Sequence, residues 1–150
     1  MISPSKQASM VKKVDGVGEK PTRKDMLVFR FCDKDTGKVK AAAVIEMTDT
    51  REDRRIGLSK RASLSKFGGM YFECRGPFWM KDVEFPLDLC YLDEYGTVTE
   101  KYAMAEDRDG KTLYPAENPA SFSAVELPSG FCDKYGISVG DRVVPAKMYR

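Results

Sequence analysis

Apolar residues in this chain fall in short runs separated by turn-forming residues, a pattern that builds many short strands and few helices. Met26 to Cys32 is one apolar run and Val39 to Met47 a second. The Asp33-Lys34-Asp35-Thr36-Gly37 segment between them is rich in turn formers, so the two runs predict a hairpin. Asp49 or Thr50 can cap a short helix whose first turn holds Glu52 and Asp53, acids that the helix dipole favours there, with Gly57 near its end. Gly69 to Glu73 and Phe78 to Lys81 predict short strands, and Leu87 to Leu92 and Thr97 to Met104 flank an Asp93-Glu94-Tyr95-Gly96 turn. A further strand is predicted over Ser121 to Leu127, then a short helix over Ser129 to Tyr135 stopped by a left-handed Gly136. Arg142 to Met148 closes the sheet, and Pro145, which has no amide hydrogen to donate, places its second half on an edge. These elements predict an α+β, mainly β fold: a compact antiparallel β-barrel-like domain with one or two short helices. An open α+β sheet is the alternative.

Charged residues interrupt the apolar pattern at particular places. Lys81 and Asp88 lie among Trp79, Met80, Phe85, Leu87 and Leu89, and Glu126 and Asp141 are likewise flanked by apolar residues. A buried charge is costly without a partner, so Lys81 is expected to pair with Asp88 or Glu126. Such a lysine–carboxylate group can be catalytic, because proximity shifts pKa values and permits proton transfer. It can equally be a structural network closing one end of a barrel, and that reading is preferred. With Trp79, which as a lone tryptophan is more often core than stacking platform, these residues form the candidate ligand pocket: Trp79, Lys81, Asp88, Glu126 and Asp141. Paired carboxylates also serve glycoside hydrolysis, but the sequence does not fix their separation. No catalytic residue is assigned.

The same segments carry a resemblance. Met47 to Leu58, ending in Arg-Ile-Gly-Leu, the Gly69-Met70-Tyr71-Phe72 run, and Phe78-Trp79-Met80-Lys81 leading to Pro86-Leu87-Asp88 follow one another in order. Val125-Glu126-Leu127-Pro128-Ser129-Gly130 and Gly140-Asp141-Arg142-Val143 complete the set. Together they resemble the family called domain of unknown function 192, which implies a compact β-rich barrel with one or two short helices and no established activity. The chain departs from the family pattern at Ser59, in the short stretch between Phe72 and Trp79, and in the charged Glu106-Asp107-Arg108-Asp109-Gly110 loop.

Composition narrows the chemistry. A length of 150 residues fits one domain with a self-sufficient core. The chain has no histidine, which removes the Ser-His-Asp triad, Cys-His catalysis and histidine-ligated zinc. Its four cysteines, Cys32, Cys74, Cys90 and Cys132, are widely spaced and are expected to be reduced structural thiols. Asp107 to Gly110 imitates the start of a calcium loop without the closing glutamate, and reads as a charged turn. No metal or cofactor is expected, and no apolar run approaches the roughly 20 residues that span a bilayer.

Net charge is +2 but unevenly spread. Residues 1–24 hold Lys6, Lys12, Lys13, Lys20, Arg23 and Lys24 against Asp15 and Glu19, and are expected to be a flexible basic arm preceding a single β-rich domain over 25–150. Those six cations are candidate partner-binding residues. Nucleic acid is a further candidate partner, with thin support because no aromatic residues interleave the arm's cations. The start lacks the apolar stretch of a secretory signal, so a cytoplasmic or virion-associated location is expected. The functional expectation is a non-catalytic protein-interaction module, an accessory or decoration component of a larger assembly such as a virion. The alternative is a small-ligand or carbohydrate-binding domain, or a hydrolase, using the lysine–carboxylate pocket.

Overall fold

The computed structural model describes residues 26–147; the basic arm and its six candidate cations lie outside the described residues. Seven strands form one curled sheet: β1 (Met26–Cys32), β2 (Val39–Met47), β3 (Gly68–Phe72), β4 (Leu87–Leu92), β5 (Val98–Met104), β6 (Ser123–Pro128) and β7 (Arg142–Lys147). Their spatial order is β5-β4-β6-β3-β2-β1-β7. The fold is therefore mainly β, as the runs of apolar residues predicted, and β7 with its Pro145 is an edge strand. The two edges approach each other at one end, where Thr97 bridges Arg142 and the Val98 amide donates to the Asp141 carbonyl at 2.8 Å. The sheet is thus curled into a half-barrel.

One pair departs from an all-antiparallel sheet. β2 and β3 run parallel, Val44 opposite Gly68, because α1 (Arg51–Ile56) carries the chain back before β3 begins. Thr50 caps α1 in a full capping box: its hydroxyl accepts from the Asp53 amide while the Asp53 carboxylate accepts from the Thr50 amide. The second helix, α2 (Phe131–Tyr135), ends at Gly136 in the left-handed conformation.

Period-two alternation gives the sheet two apolar faces. Inside the curl, Phe29, Phe31, Ile45, Tyr71, Cys90, Leu92, Val125 and Leu127 pack together, with Phe131 and Cys132 of α2 laid over them. On the opposite face Met70, Phe72, Leu87, Leu89, Tyr91 and Ala124 are covered by Leu58, Met80 and Val83 from the long connections. No helix among the described residues is long and apolar enough to cross a membrane.

The expected strand at Phe78 to Lys81 is not formed. Phe78 makes a single bridge to Tyr114, Lys81 begins a turn, and Asp82 adopts a left-handed φ of 61° that reverses the chain. The segment is covering loop, and its apolar character comes from packing over the sheet without pairing into it.

Candidate functional site

The family-like segments converge on one place. Along β6, Val125 and Leu127 face the inner core, so Ala124 and Glu126 face the outer one. Glu126 stands between its register partners Met70 on β3 and Leu89 on β4. Leu58, from the Arg-Ile-Gly-Leu segment, and Met80, from Phe-Trp-Met-Lys, belong to the same apolar cluster. Gly69 permits the close β3–β6 approach: a Cβ there would lie 2.5 Å from the Glu126 carbonyl oxygen.

Glu126 is 4% exposed, and its carboxyl makes no hydrogen bond among the described residues. Burial alone pushes its carboxyl up to about 8, so near neutrality it is held as the uncharged acid. Cys74 lies within electrostatic range. Burial raises its thiol, the Gly76 amide and Arg54 oppose that rise, and Glu126 adds to it. The result is a neutral carboxylic acid and a neutral thiol in apolar surroundings, chemistry suited to donating a hydrogen bond and ill suited to nucleophilic attack.

The other expected pocket residues are elsewhere. Asp88 is buried on β4, and its carboxylate accepts from the amides of Gly130 (3.2 Å) and Cys132 (2.9 Å). It supplies the N-terminal cap of α2 that Gly130, with no side chain, cannot provide. Asp141 has no exposed surface and accepts from the Lys34 amide (3.0 Å), the Ser138 amide (2.8 Å) and Lys40 Nζ (2.7 Å). Burial would raise its carboxyl, but Lys40 and the two amides outweigh it and hold the group below the usual carboxylate range. Lys40 also reaches Asp33 at 3.2 Å and donates to the Gly136 carbonyl at 2.7 Å.

Lys81 corrects the expectation most directly. It is exposed, makes no ion pair among the described residues, and lies with Nζ 5.3 Å from the centre of the Trp79 ring. Met80, with no exposed surface, takes the inward position that Lys81 was expected to share. Trp79 is 49% exposed, so it is not core. The Phe78–Tyr114 bridge brings the next residues, Trp79 and Leu113, side by side on the outer surface, where Leu113 is also exposed. The lysine–carboxylate pocket is not assembled, because each carboxylate has a local task and the lysine faces solvent.

Three features had little sequence signal. Cys90 and Cys132 bring their sulfurs to 3.4 Å in the inner core, though Cys74 and Cys32 lie apart from them. Tyr71 and Ser123 bury their hydroxyls on the inner side of the β3–β6 pair, the Ser123 hydroxyl standing as the polar neighbour of the Tyr71 phenol. Phe67 and Tyr135, from a loop and from α2, place their rings 6.1 Å apart at the surface. Only the burial of Cys90 was legible, from its apolar neighbours. Among the described residues, no group of three or more acidic or cysteine side chains is arranged to hold a metal ion.

Comparison with known proteins agrees with this architecture. The model of the DUF192 family, described as an uncharacterised ACR, matches residues 32–145, and the chain belongs to that family. No curated protein matches the sequence. Among solved structures, one from Sinorhizobium meliloti, described as a proposed transcription regulator, superposes with a TM-score of 0.72 at 22% identity. The match spans 85% of this chain and 98% of that one, and at that identity it shows a shared fold. A protein of unknown function from Novosphingobium aromaticivorans superposes with a TM-score of 0.66 at 26% identity, over 79% of this chain and 84% of that one.

Proposed function

We propose that this domain is a non-catalytic module acting through protein contacts, an accessory component of a larger assembly such as a multisubunit complex or a virion. The observation that carries the reading is the exposed Trp79, braced by Lys81 and by the Gly110 turn and set beside exposed Leu113. A rigid tryptophan with an apolar neighbour and a cation over its ring is the kind of anchor that dominates protein interfaces. Asp88 and Asp141 support the same reading from the other direction, since both are committed to holding the fold together.

The test is native mass spectrometry and light scattering of material purified from the source. A complex larger than the monomer is expected, and Trp79→Ala should dissociate it while leaving the melting temperature unchanged. A lone monomer that captures no partner counts against the reading.

A second reading, small-ligand binding, is favoured by Glu126 alone. A buried carboxyl without a hydrogen-bond partner is destabilising, and the apolar groups around it would suit a small molecule with one polar group. Calorimetric titration with simple amines and sugars tests it; heats that persist in Glu126→Gln eliminate the site.

A further inference from the structure

We propose that Phe67 and Tyr135, with Lys66 and Lys134, form a docking platform for a short acidic segment of a partner protein that carries aromatic or aliphatic side chains beside its carboxylates. This rests on the protein-contact reading and names a second surface for it, at the end of the half-barrel that α2 covers. Phe67 is 45% exposed, yet it is not loose: its carbonyl accepts from the Val44 amide at 2.7 Å immediately before β3 begins. Tyr135 is half-buried and backed by Phe131 at 4.8 Å between ring centres, which is backed in turn by Phe31 at 5.9 Å. The pair is therefore the outer end of an aromatic stack rooted in the inner core, and its rings need little ordering when a partner binds.

The charges around the rings select the partner. Lys66 Nζ and Lys134 Nζ each lie 5.6 Å from a ring centre, over Phe67 and Tyr135 respectively, and neither forms an ion pair among the described residues. Lys40 and Lys101, at the same end, are engaged, Lys40 with the Gly136 carbonyl and Lys101 with the Ile137 carbonyl. Asp33 and Asp141 are held by Lys40, which leaves Asp133 as the exposed acid on the same helix. Two uncommitted ammonium groups flanking two aromatic faces match a segment with a few carboxylates and planar or branched apolar groups. A long polyanion is a poorer match, because residues 26–147 hold slightly more Asp and Glu than Lys and Arg.

The experiment is fluorescence anisotropy of the full chain with three labelled probes at low salt: a short peptide alternating Glu and Phe, a polyglutamate of equal length, and an oligothymidylate. The Glu-Phe peptide should bind tightest, and Phe67→Ala should weaken it at least about tenfold, the scale of an aromatic anchor. Lys66→Gln combined with Lys134→Gln should weaken it and flatten its salt dependence. Circular dichroism should show all variants folded, as these side chains are exposed or, for Lys66 and Lys134, purely surface charges. Equal binding by wild type and Phe67→Ala, tighter binding of oligothymidylate, or no binding of any probe overturns the proposal. A source complex that still depends on Trp79 would leave the protein-contact reading standing in that event.

Discussion

Glu126 makes the stability of this protein depend on pH in an unusual direction. In the unfolded chain its carboxyl ionises near 4.5, whereas in the folded chain it keeps its proton to about 8. Between those values the native state binds one proton more than the unfolded state, so stability falls as pH rises, by an amount on the order of a few kcal/mol. Glu126→Gln should remove that slope and make the variant more stable than wild type above pH 8; urea melts between pH 5 and 9 measure it. An unchanged slope would show that the carboxyl reaches water. Lys81 gives the opposite lesson. Because it faces solvent over Trp79, Lys81→Met should alter stability by no more than about 1 kcal/mol, the scale of an exposed cation–π contact. A loss of ~3–5 kcal/mol would instead require a buried partner.

At the level of elements, α2 is the clearest case of a local structure made by a distant residue. Five residues beginning at Phe131 are too few to hold a helix by propensity. Asp88, 42 residues before Gly130, anchors its first turn by accepting two amides. Asp88→Ala strands those amides beside the core and should destabilise by about 2–4 kcal/mol, with faster amide exchange concentrated in residues 130–136. Asp88→Asn keeps one acceptor and should lie between. Uniform exchange across the sheet in Asp88→Ala would show that the cap does not hold α2 specifically. The existence of α2 was legible, through the Gly136 stop, as were the β1–β2 hairpin and the capped start of α1, because each is written in adjacent residues. The role of Asp88 was legible only as a charge among apolar neighbours. Its partners are backbone amides, which have no sequence identity to read. Phe78 to Lys81 misled for a related reason: an apolar run that covers a sheet and one that joins it obey the same burial requirement, and only the left-handed turn at Asp82 separates them.

At the scale of the whole molecule, the meeting of the sheet's two edges depends on a network spread over the chain. Asp141 ties the β1–β2 turn, through the Lys34 amide, to the loop before β7 and, through Lys40, to the end of α2. Sequence reading found Asp141 but assigned it to a pocket with Lys81, since the half-barrel curl that delivers Lys40 to it is a property of the sheet as a whole. The two carboxylates now act at opposite ends of the pH scale. Asp141 has its folded pKa depressed, so its contribution is present above the unfolded value and is lost as pH falls through the folded one. Glu126 removes stability as pH rises from about 4.5 to about 8, and the wild type should therefore be most stable in mildly acidic solution. Asp141→Ala should cost on the order of 3 kcal/mol by orphaning two partly buried amides, and should shrink the acid limb, to which Asp33 also contributes, while leaving the Glu126 decline intact. Because the Val98 amide bonds the Asp141 carbonyl, which that substitution retains, the edge-to-edge bridge at Thr97 and Arg142 should loosen without vanishing. Hydrogen exchange reads this directly. Protection should drop first at Val98, Gly140 and Val143, and loss spread evenly over β3 and β6 would mean that Asp141 supports the core and not the closure.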